Sequence, residues 1–441
     1  MAGFTTANQI DPRHFDDSEL SLHLLTARGL QWMFGCYGDD PYALILRAES
    51  DEPHTLHQQI RQRSALTHSR VGAWVTGRYE LAAEVLNDPR LGARLAGGTV
   101  PEPVSFYAFE GLELSHLLTL DHQLIELERN DHNRLRGLTD PVLGPAGLLG
   151  RRAVLERNCQ AVLGRIGPEF DLLADFARPL AVGAVADLAG LPNGKRELLG
   201  RLCADAAAAP DALLCPQQLE TTRRLTSAVD GIRDLFATLI AARAVGTDDD
   251  LLSELSRAAA SAGRQADEVL AAWMLTAVVG VDVTANLICN TTMALLEFPE
   301  QWDLLREAPA LAPMAVEEAL RFDPPVRLES RIAHEDVELA GQAVRAGEQV
   351  VVLVEAANRD PDSYRDPDSF DIGRQPEVPH LALTGGMNSA FVAPFARLQA
   401  EVAMRAVVDR FPNLRMAPAG VLRRLRSPVT RGVLRCPVVS A

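Results

Sequence analysis

The sequence predicts a mainly α fold with a minor β portion, built as a single domain. Apolar residues recur at helical spacing along most of the 441 residues, whereas strand-like runs are confined to short patches. No stretch rich in proline, glycine or serine interrupts the middle of the chain, so no linker is predicted. We therefore expect residues 1–441 to form one domain, with residues 1–38 as an N-terminal extension.

Three short patches predict the strands. The first is Val71–Gly77, which a helical pattern follows at once. The second runs over Val337–Pro361, where two apolar runs flank the turn-like residues Arg345–Gly347. The third is a C-terminal pair of strands with Ser427 and Pro428 in or beside its turn.

Longer periodic segments predict the helices. One begins near Phe170 and ends at Gly190 and Pro192, which are both helix stop signals. Another begins at Thr247 and carries three aspartates in its first turn. Their carboxylates accept hydrogen bonds from free backbone N–H groups and suit the positive end of a helix.

The longest weakly charged segment lies between Glu268 and Glu297. It contains Asp282 near its middle, and a central acid costs a membrane span about 3 kcal/mol. We predict that this segment is a long helix buried inside the protein, with no membrane contact.

Charge and cysteine content exclude several classes of protein. The formal net charge of −16 argues against nucleic-acid binding and against attachment to an anionic membrane surface. The six cysteines are scattered without a paired spacing, so we expect them to be reduced and mostly buried. The N-terminus has no basic segment followed by an apolar run, so we expect a cytoplasmic protein without a signal peptide.

Four motifs occur in a fixed order along the chain. They are DHNRLR at 131–136, VVGVDVTAN at 278–286, EEALRFDPPVR at 317–327, and a final set from ANRDP at 357–361 to APFARLQAE at 393–401. This ordered set resembles bacterial cytochromes P-450, and the resemblance extends from Asp40 to Val438. It implies a single-domain cytochrome P-450 fold.

The third motif contains Glu318 and Arg321, which share one face of a helix. In the family this pair is a buried structural ion pair, and a surface pair is the alternative that the spacing leaves open. A further arginine often joins it in the family, but the matching position here is Ser369. We expect a thinner brace.

The positions that resemble the family's contacts to the haem propionates all carry suitable side chains. A buried anion needs cationic partners. Two interpretations stay open: these residues still hold haem, or the arginines pair with protein carboxylates or line a polar cavity. The positions are His132, Arg136, Arg331 and His380.

The loop that resembles the family's haem-ligand loop departs from its pattern. Only the glycine is kept among its five characteristic positions, which are Leu383, Gly386, Asn388, Ala390 and Val392. The resemblance places the thiolate ligand of the iron at Ala390, and a methyl group offers no lone pair. We expect no haem cofactor.

The family's oxygen-activating pair is also changed. Its acid corresponds to Asp282, but the position of its alcohol is Val283, and Thr284 points about a third of a turn away. Two alternatives remain at the sequence level. Haem could take a non-thiolate ligand such as Met387, Asn388 or Cys436, or Asp282 could serve redox-free chemistry as a lone buried carboxylate.

A metal site is not predicted. His54 and His57 would share a helix face, as two metal ligands do, but no third nearby ligand completes a site in the sequence. We interpret this segment as an exposed helix.

The N-terminal and C-terminal segments resemble one branch of the family more closely. They are ARGLQWMFGCYGDDPYALIL at 27–46 and RRLRSPVTRGVLRCPV at 423–438. They resemble the haem-free cytochrome P-450-like auxiliary proteins of deoxysugar glycosyltransferases in macrolide and anthracycline antibiotic pathways. The resemblance implies a non-catalytic protein that binds, stabilises and activates a cognate glycosyltransferase. The alternatives are a haem enzyme, a protein that binds the polyketide aglycone, and a docking domain for another enzyme.

An aromatic cluster near the N-terminus is the candidate partner contact. Aromatic side chains dominate many protein interfaces. The alternative is that this segment packs onto the protein's own core. The cluster comprises Trp32, Phe34, Tyr37 and Tyr42.

Overall fold

The computed structural model describes residues 15–37, 39–48, 53–92, 136–137, 139–212, 214–243, 250–264, 266–384 and 392–440. Helices dominate this part of the chain and the strands are short, which confirms the predicted fold class. The helices are α1 Asp17–Tyr37, α2 Pro41–Arg47, α3 His54–Arg63, α4 Tyr79–Asn87, α5 Pro145–Leu149, α6 Arg152–Leu163, α7 Arg178–Leu188, α8 Asn193–Ala206, α9 Ala209–Ala212, α10 Leu219–Arg243, α11 Leu251–Ser261, α12 Ala266–Leu275, α13 Val281–Glu297, α14 Pro299–Glu307, α15 Ala312–Phe322, α16 Val354–Ala357 and α17 Ala393–Arg410. The strands are β1 Thr67–His68, β2 Ala73–Thr76, β3 Leu91–Gly92, β4 Glu169–Asp171, β5 Leu328–Ala333, β6 Val337–Leu339, β7 Gln342–Val344, β8 Gln349–Leu353, β9 Leu414–Met416, β10 Leu422–Arg423, β11 Val433–Arg435 and β12 Pro437–Ser440.

The largest sheet has five strands in the order β1, β2, β8, β5 and β3. Strands β2 and β8 are parallel, with Ala73 opposite Gln349, and the other pairs are antiparallel. The turn predicted at Arg345–Gly347 joins β7 to β8, where Gly347 has a φ of 86° that favours glycine. These two strands pair with other neighbours, so the turn does not close a hairpin.

The centre of the molecule is the long segment Ala266–Glu297. A π-helical turn at Thr276–Gly280 joins α12 to α13 within it. Among the described residues, this is the helix long and apolar enough to cross a membrane, and its apolar window is entirely buried. The prediction of a buried core helix is therefore confirmed. Helices α7, α15 and α17 pack around α13.

The N-terminal helix α1 packs on α2 and α10. Its inward face carries Leu20, Leu24 and Ala27, which are all buried. Its N-terminus is satisfied by Asp16, whose carboxylate accepts hydrogen bonds from the backbone of Ser18 at 2.8 Å and of the next residue. The segment thus folds onto the body of the protein while its other face is left to solvent.

The predicted C-terminal strand pair is confirmed. Strands β10 and β11 are antiparallel and enclose Ser427 and Pro428. We call residues 422–435 the C-terminal hairpin. It reaches α13, because the backbone N–H of Val433 donates to the Asn286 side-chain carbonyl at 2.9 Å.

Candidate functional site

The degenerate haem-ligand loop is described only at its two ends. Leu383 is buried and has a left-handed backbone with a φ of 55°. Val392 is buried and directly precedes α17. Three of the predicted positions, Gly386, Asn388 and Ala390, lie outside the described residues, as does Met387.

The cations at the predicted propionate positions are engaged by protein carboxylates. Arg136 pairs with Asp140 at 2.9 Å on the surface, and buried Arg331 lies 3.3 Å from Glu329. We call the four predicted propionate positions, His132, Arg136, Arg331 and His380, the cage. Its two arginines have the carboxylate partners that the second interpretation named. His132 lies outside the described residues.

His380 takes part in a small network on the same side of the fold. Its Nε2 atom lies 2.8 Å from the Glu317 carboxylate, and Arg397 donates to the other oxygen at 2.7 Å. Burial alone would raise the pKa of Glu317, but the hydrogen bond from His380 and the charge of Arg397 lower that pKa to about 2. Glu317 is therefore ionised at neutral pH and compensates the charge of Arg397 beside it.

Two nitrogen atoms of the cage keep unused hydrogen-bonding capacity. Nη2 of Arg331 and Nδ1 of His380 are buried without a hydrogen-bond partner among the described residues. These two nitrogen atoms are the ones with capacity left to bind an anion such as a propionate.

The residues present do not fit a haem as the family holds it. The ligand position is Ala390 in the sequence, and an alanine has no donor atom. The alternative ligand Cys436 is fully buried and hydrogen-bonds to Cys289 in α13. The arginines of the cage are also paired with protein carboxylates, so they do not present the free cations that haem propionates require.

The predicted oxygen-activation pair is buried in α13, and its acid is not alone. Both oxygens of Asp282 accept hydrogen bonds from Nη2 of Arg424, at 3.2 Å and 3.1 Å. Asn286 donates to the same carboxylate at 2.9 Å, and Arg178 lies 3.9 Å away. The interpretation of Asp282 as a lone buried carboxylate is therefore wrong. Val283 is fully buried beside it.

Arg424 reaches this position because the C-terminal hairpin is anchored at a second buried acid, Asp211. The Asp211 carboxylate accepts hydrogen bonds from the hydroxyl groups of Ser427 and Thr430, both at 2.7 Å. It also accepts from the backbone N–H groups of Val429 and Thr430. Burial raises the pKa of Asp211, and Arg424 and these hydrogen bonds act against that rise.

A glycine lies at the point where the hairpin passes over Arg424. A side chain at Gly432 would collide with the Arg424 guanidinium, whereas the Gly432 carbonyl accepts a hydrogen bond of 2.7 Å from the Arg424 backbone. The hairpin backbone and the guanidinium are thus fixed together over α13. An arginine from the hairpin therefore lies directly against the buried acid of α13.

The structural ion pair forms as predicted and is more extensive than expected. Arg321 donates to both oxygens of Glu318, at 2.8 Å and 2.9 Å, and both residues are buried. Arg374 adds a second guanidinium, 3.0 Å from Glu318. The backbone carbonyl of Ser369 accepts from both arginines. The expectation of a thinner brace is wrong, because the missing arginine is supplied five residues later in the chain.

The interpretation of α3 as an exposed helix is wrong for His57. His57 is buried, and burial lowers its pKa to about 4. Glu355, from α16, joins His54 and His57, and the ligand atoms of the three residues lie within 4.8 Å of one another. A third candidate ligand does exist, and it comes from a distant part of the sequence.

The candidate partner contact divides into exposed and buried parts. Trp32 and Tyr37 are exposed and make an edge-to-face contact with ring centroids 5.6 Å apart. Tyr42 is 2% exposed, so it packs in the core and cannot meet a partner. Phe34 is half-buried.

Sequence reasoning missed four residues that organise these sites: Arg424, Asp211, Arg374 and Glu355. Each pairs with a residue far away in the chain or lies outside the expected family position. The basic run at 423–426 was the one local signal, because a cluster of arginines beside a short strand pair needs acidic partners.

Comparison with known proteins agrees with this fold. The family described as Cytochrome P450 matches residues 297–377. Protein AknT of Streptomyces galilaeus is 49% identical over 96% of both chains. The biotin biosynthesis cytochrome P450 of Bacillus subtilis is 32% identical over 78% of this chain and 85% of its own. The crystal structure of P450BioI with an acyl carrier protein is similar with a TM-score of 0.76 and 29% identity, covering 88% of this chain and 99% of that one.

Proposed function

This chain belongs to the cytochrome P450 family, and we propose that it works as a haem-free auxiliary protein of a deoxysugar glycosyltransferase in antibiotic biosynthesis. One observation carries the proposal. Arg424 donates hydrogen bonds to the carboxylate of Asp282, the acid that matches the family's proton-delivering position. The change at the ligand position, Ala390, points in the same direction. Oxygen activation needs both an iron ligand and a free proton relay.

The proposed role needs the fold as a scaffold for binding and does not need its chemistry. The buried brace around Glu318 and the core around α13 are intact, although neither needs an iron atom to be stable. A retained scaffold with altered chemistry is suited to binding another protein. We assign it no catalytic residue.

Activation of the partner follows from binding alone. A protein that binds only the active conformer of a glycosyltransferase shifts the population towards that conformer. Binding to the folded transferase also opposes its unfolding by mass action. The transferase then passes a nucleotide-activated deoxysugar to its polyketide aglycone.

The surface proposed for this contact is the solvent face of α1. Half of the large hydrophobic side chains that the described residues expose lie on this one helix, and large exposed apolar patches mark interaction sites. We call the five residues the α1 stripe: Leu22, Leu25, Trp32, Met33 and Tyr37.

The charges near the stripe specify the partner surface further. Exposed Asp16 and Glu19 lie at one end of α1, and exposed Asp39 follows the other end. Among the described residues outside the helix's own backbone, no atom lies within 4 Å of a Cβ placed at Gly29, midway along the stripe. Asp39 already pairs with Arg63 at 3.0 Å. The occupant is therefore a transferase surface with an apolar centre and basic side chains towards the Asp16 end of α1.

The experiment is a spectrum followed by a binding assay. The protein is purified from cells supplied with a haem precursor, and its ultraviolet–visible spectrum is recorded. It is then mixed with the cognate glycosyltransferase and analysed by size-exclusion chromatography. We expect no Soret band and one co-eluting complex. A stoichiometric Soret band would instead assign Arg331 and His380 to a working haem cage, and separate elution would overturn the auxiliary role.

A further inference from the structure

The structure brings together a cluster of three potential metal ligands outside the site described above. His54 and His57 lie on one face of α3, and Glu355 lies in α16, which packs on α3. Nδ1 of His54 is 3.9 Å from Oε1 of Glu355. The ligand atoms of all three residues lie within 4.8 Å of one another. Among the described residues, these three form the group whose ligand atoms lie close enough together to bind one metal ion.

The Glu355 carboxylate has one oxygen that is hydrogen-bonded and one that is not. Its Oε2 atom accepts a hydrogen bond of 2.7 Å from Arg327, which fixes the orientation of the carboxylate. Its Oε1 atom is buried without a hydrogen-bond partner among the described residues, although Glu355 is only 1% exposed. A buried carboxylate oxygen without a partner is costly, and it is directed towards His54.

The cluster lies beside solvent-accessible space. It borders a cavity of about 700 Å³ that is also lined by Asp323 and Arg327. The His54 side chain is 38% exposed, so an ion has a route of access from solvent. The cavity leaves room for a water molecule as a fourth ligand.

We propose that His54, His57 and Glu355 bind one zinc ion. Two imidazoles and one carboxylate form a ligand set that zinc accepts with a water molecule in the fourth position. Tetrahedral bonds of about 2.0 Å place ligand atoms about 3.3 Å apart, so small side-chain rotations close the site. Hard cations such as magnesium prefer oxygen ligands and suit this set poorly.

The surrounding charges set how strongly zinc binds. Arg327 is shared between Glu355 and Asp323, which leaves one excess negative charge among these three residues. Arg359 and Arg431 also line the cavity and repel a cation. The affinity is therefore lower than in a site with only anionic neighbours. The bound ion would link α3 to α16, two helices that are far apart in the sequence.

The test measures zinc directly. Chelator-treated protein is dialysed against Zn²⁺, and bound metal is quantified by mass spectrometry together with the melting temperature. We expect about one zinc per chain and a higher melting temperature with zinc. His54→Ala should lower the affinity at least tenfold. His68→Ala is the matched control, because His68 is exposed and lies against Trp74 outside the cluster.

The readout separates zinc coordination from a simple His54–Glu355 ion pair. Cobalt substitution should give the visible absorption of a four-coordinate site in the wild type and in His68→Ala, and not in His54→Ala. His57→Gln should also lose the ion. If His57→Gln does not fold, the partly exposed His54 still decides the question. Equal zinc binding by wild type and His54→Ala would overturn the proposal. Because the assay uses no transferase, its failure would not affect the auxiliary role.

Discussion

Nη2 of Arg424 lies 3.1 Å from Oδ2 of Asp282, and this contact joins the C-terminal hairpin to the central helix. Asp282 is 2% exposed, so its carboxylate depends on Arg424, Asn286 and Arg178 for compensation of its charge. This pairing removes the free acid that a proton relay would require.

The Arg424–Asp282 pair should contribute strongly to stability. Arg424→Met leaves Asp282 and Asp211 without their shared cation, so we expect the free energy of unfolding to fall by about 3 kcal/mol or more. Urea denaturation measures this change. The double variant Arg424→Met with Asp282→Asn should recover part of the loss, because the uncompensated charge is removed.

Arg435→Met is the matched control for that series. Arg435 lies in the same hairpin, but its side chain is 65% exposed and 3.8 Å from Asp171. An exposed pair of this kind contributes about 1 kcal/mol at most. Equal losses for the two arginine variants would mean that Asp282 does not rely on Arg424.

The second guanidinium of the buried brace should be detectable by substitution. Arg374 donates to Glu318 and to the backbone carbonyls of Arg365, Asp366 and Ser369. Arg374→Met should lower the free energy of unfolding by about 2 kcal/mol, the usual contribution of hydrogen bonds to charged groups.

Exposed Arg365 serves as the control for Arg374. Its side chain lies on the same segment, so Arg365→Met should change stability by less than about 0.5 kcal/mol. If Arg374→Met left the free energy of unfolding unchanged, the Glu318–Arg321 pair would be stable without a third partner.

The network of Glu317, His380 and Arg397 predicts a pH dependence. The folded pKa of Glu317 is about 2, below its ordinary value of 4.5. A carboxyl group with a lowered folded pKa stabilises the protein fully above the unfolded pKa and loses that effect as the pH falls towards the folded pKa. Glu317→Gln should therefore lower the melting temperature at about pH 6 and have progressively less effect below about pH 4.5. If the difference in melting temperature between the wild type and Glu317→Gln did not change with pH, the pairing of Glu317 with His380 and Arg397 would be contradicted.

The α1 stripe should matter for partner binding and little for folding. Trp32→Ala or Leu25→Ser removes exposed apolar surface, so we expect at least a tenfold weaker affinity for the glycosyltransferase. The melting temperature of the isolated protein should stay nearly constant. Leu149→Ser is the matched control, because Leu149 is 58% exposed and lies on α5, which packs on α17. Equal affinities for the Trp32 and Leu149 variants would place the contact elsewhere.

Local patterns in the sequence predicted the elements well, and long-range pairs poorly. The buried helix around Asp282, the brace of Glu318 and Arg321, and the C-terminal strand pair are readable because periodicity and short spacing determine them. Two helix faces cannot be distinguished in the same way. The sequence left partner contact and core packing both open for the aromatic cluster, and only the fold shows that Trp32 on α1 faces solvent while Tyr42 on α2 is buried.

Partners from distant segments explain the predictions that were wrong. Arg424 meets Asp282, and Glu355 meets His54, only after the chain has folded. A single sequence contains no spacing signal for such pairs. Arg374 shows a related limit, because its longer reach replaces an arginine that the family places at another position.

The most direct test of the account is the rate of sugar transfer by the cognate glycosyltransferase, with and without this protein, at a fixed transferase concentration. We expect stoichiometric addition to raise the rate more than tenfold and to raise the melting temperature of the transferase, and we expect the Trp32→Ala variant to do so less effectively. A transferase that is fully active and equally stable alone would contradict the auxiliary role.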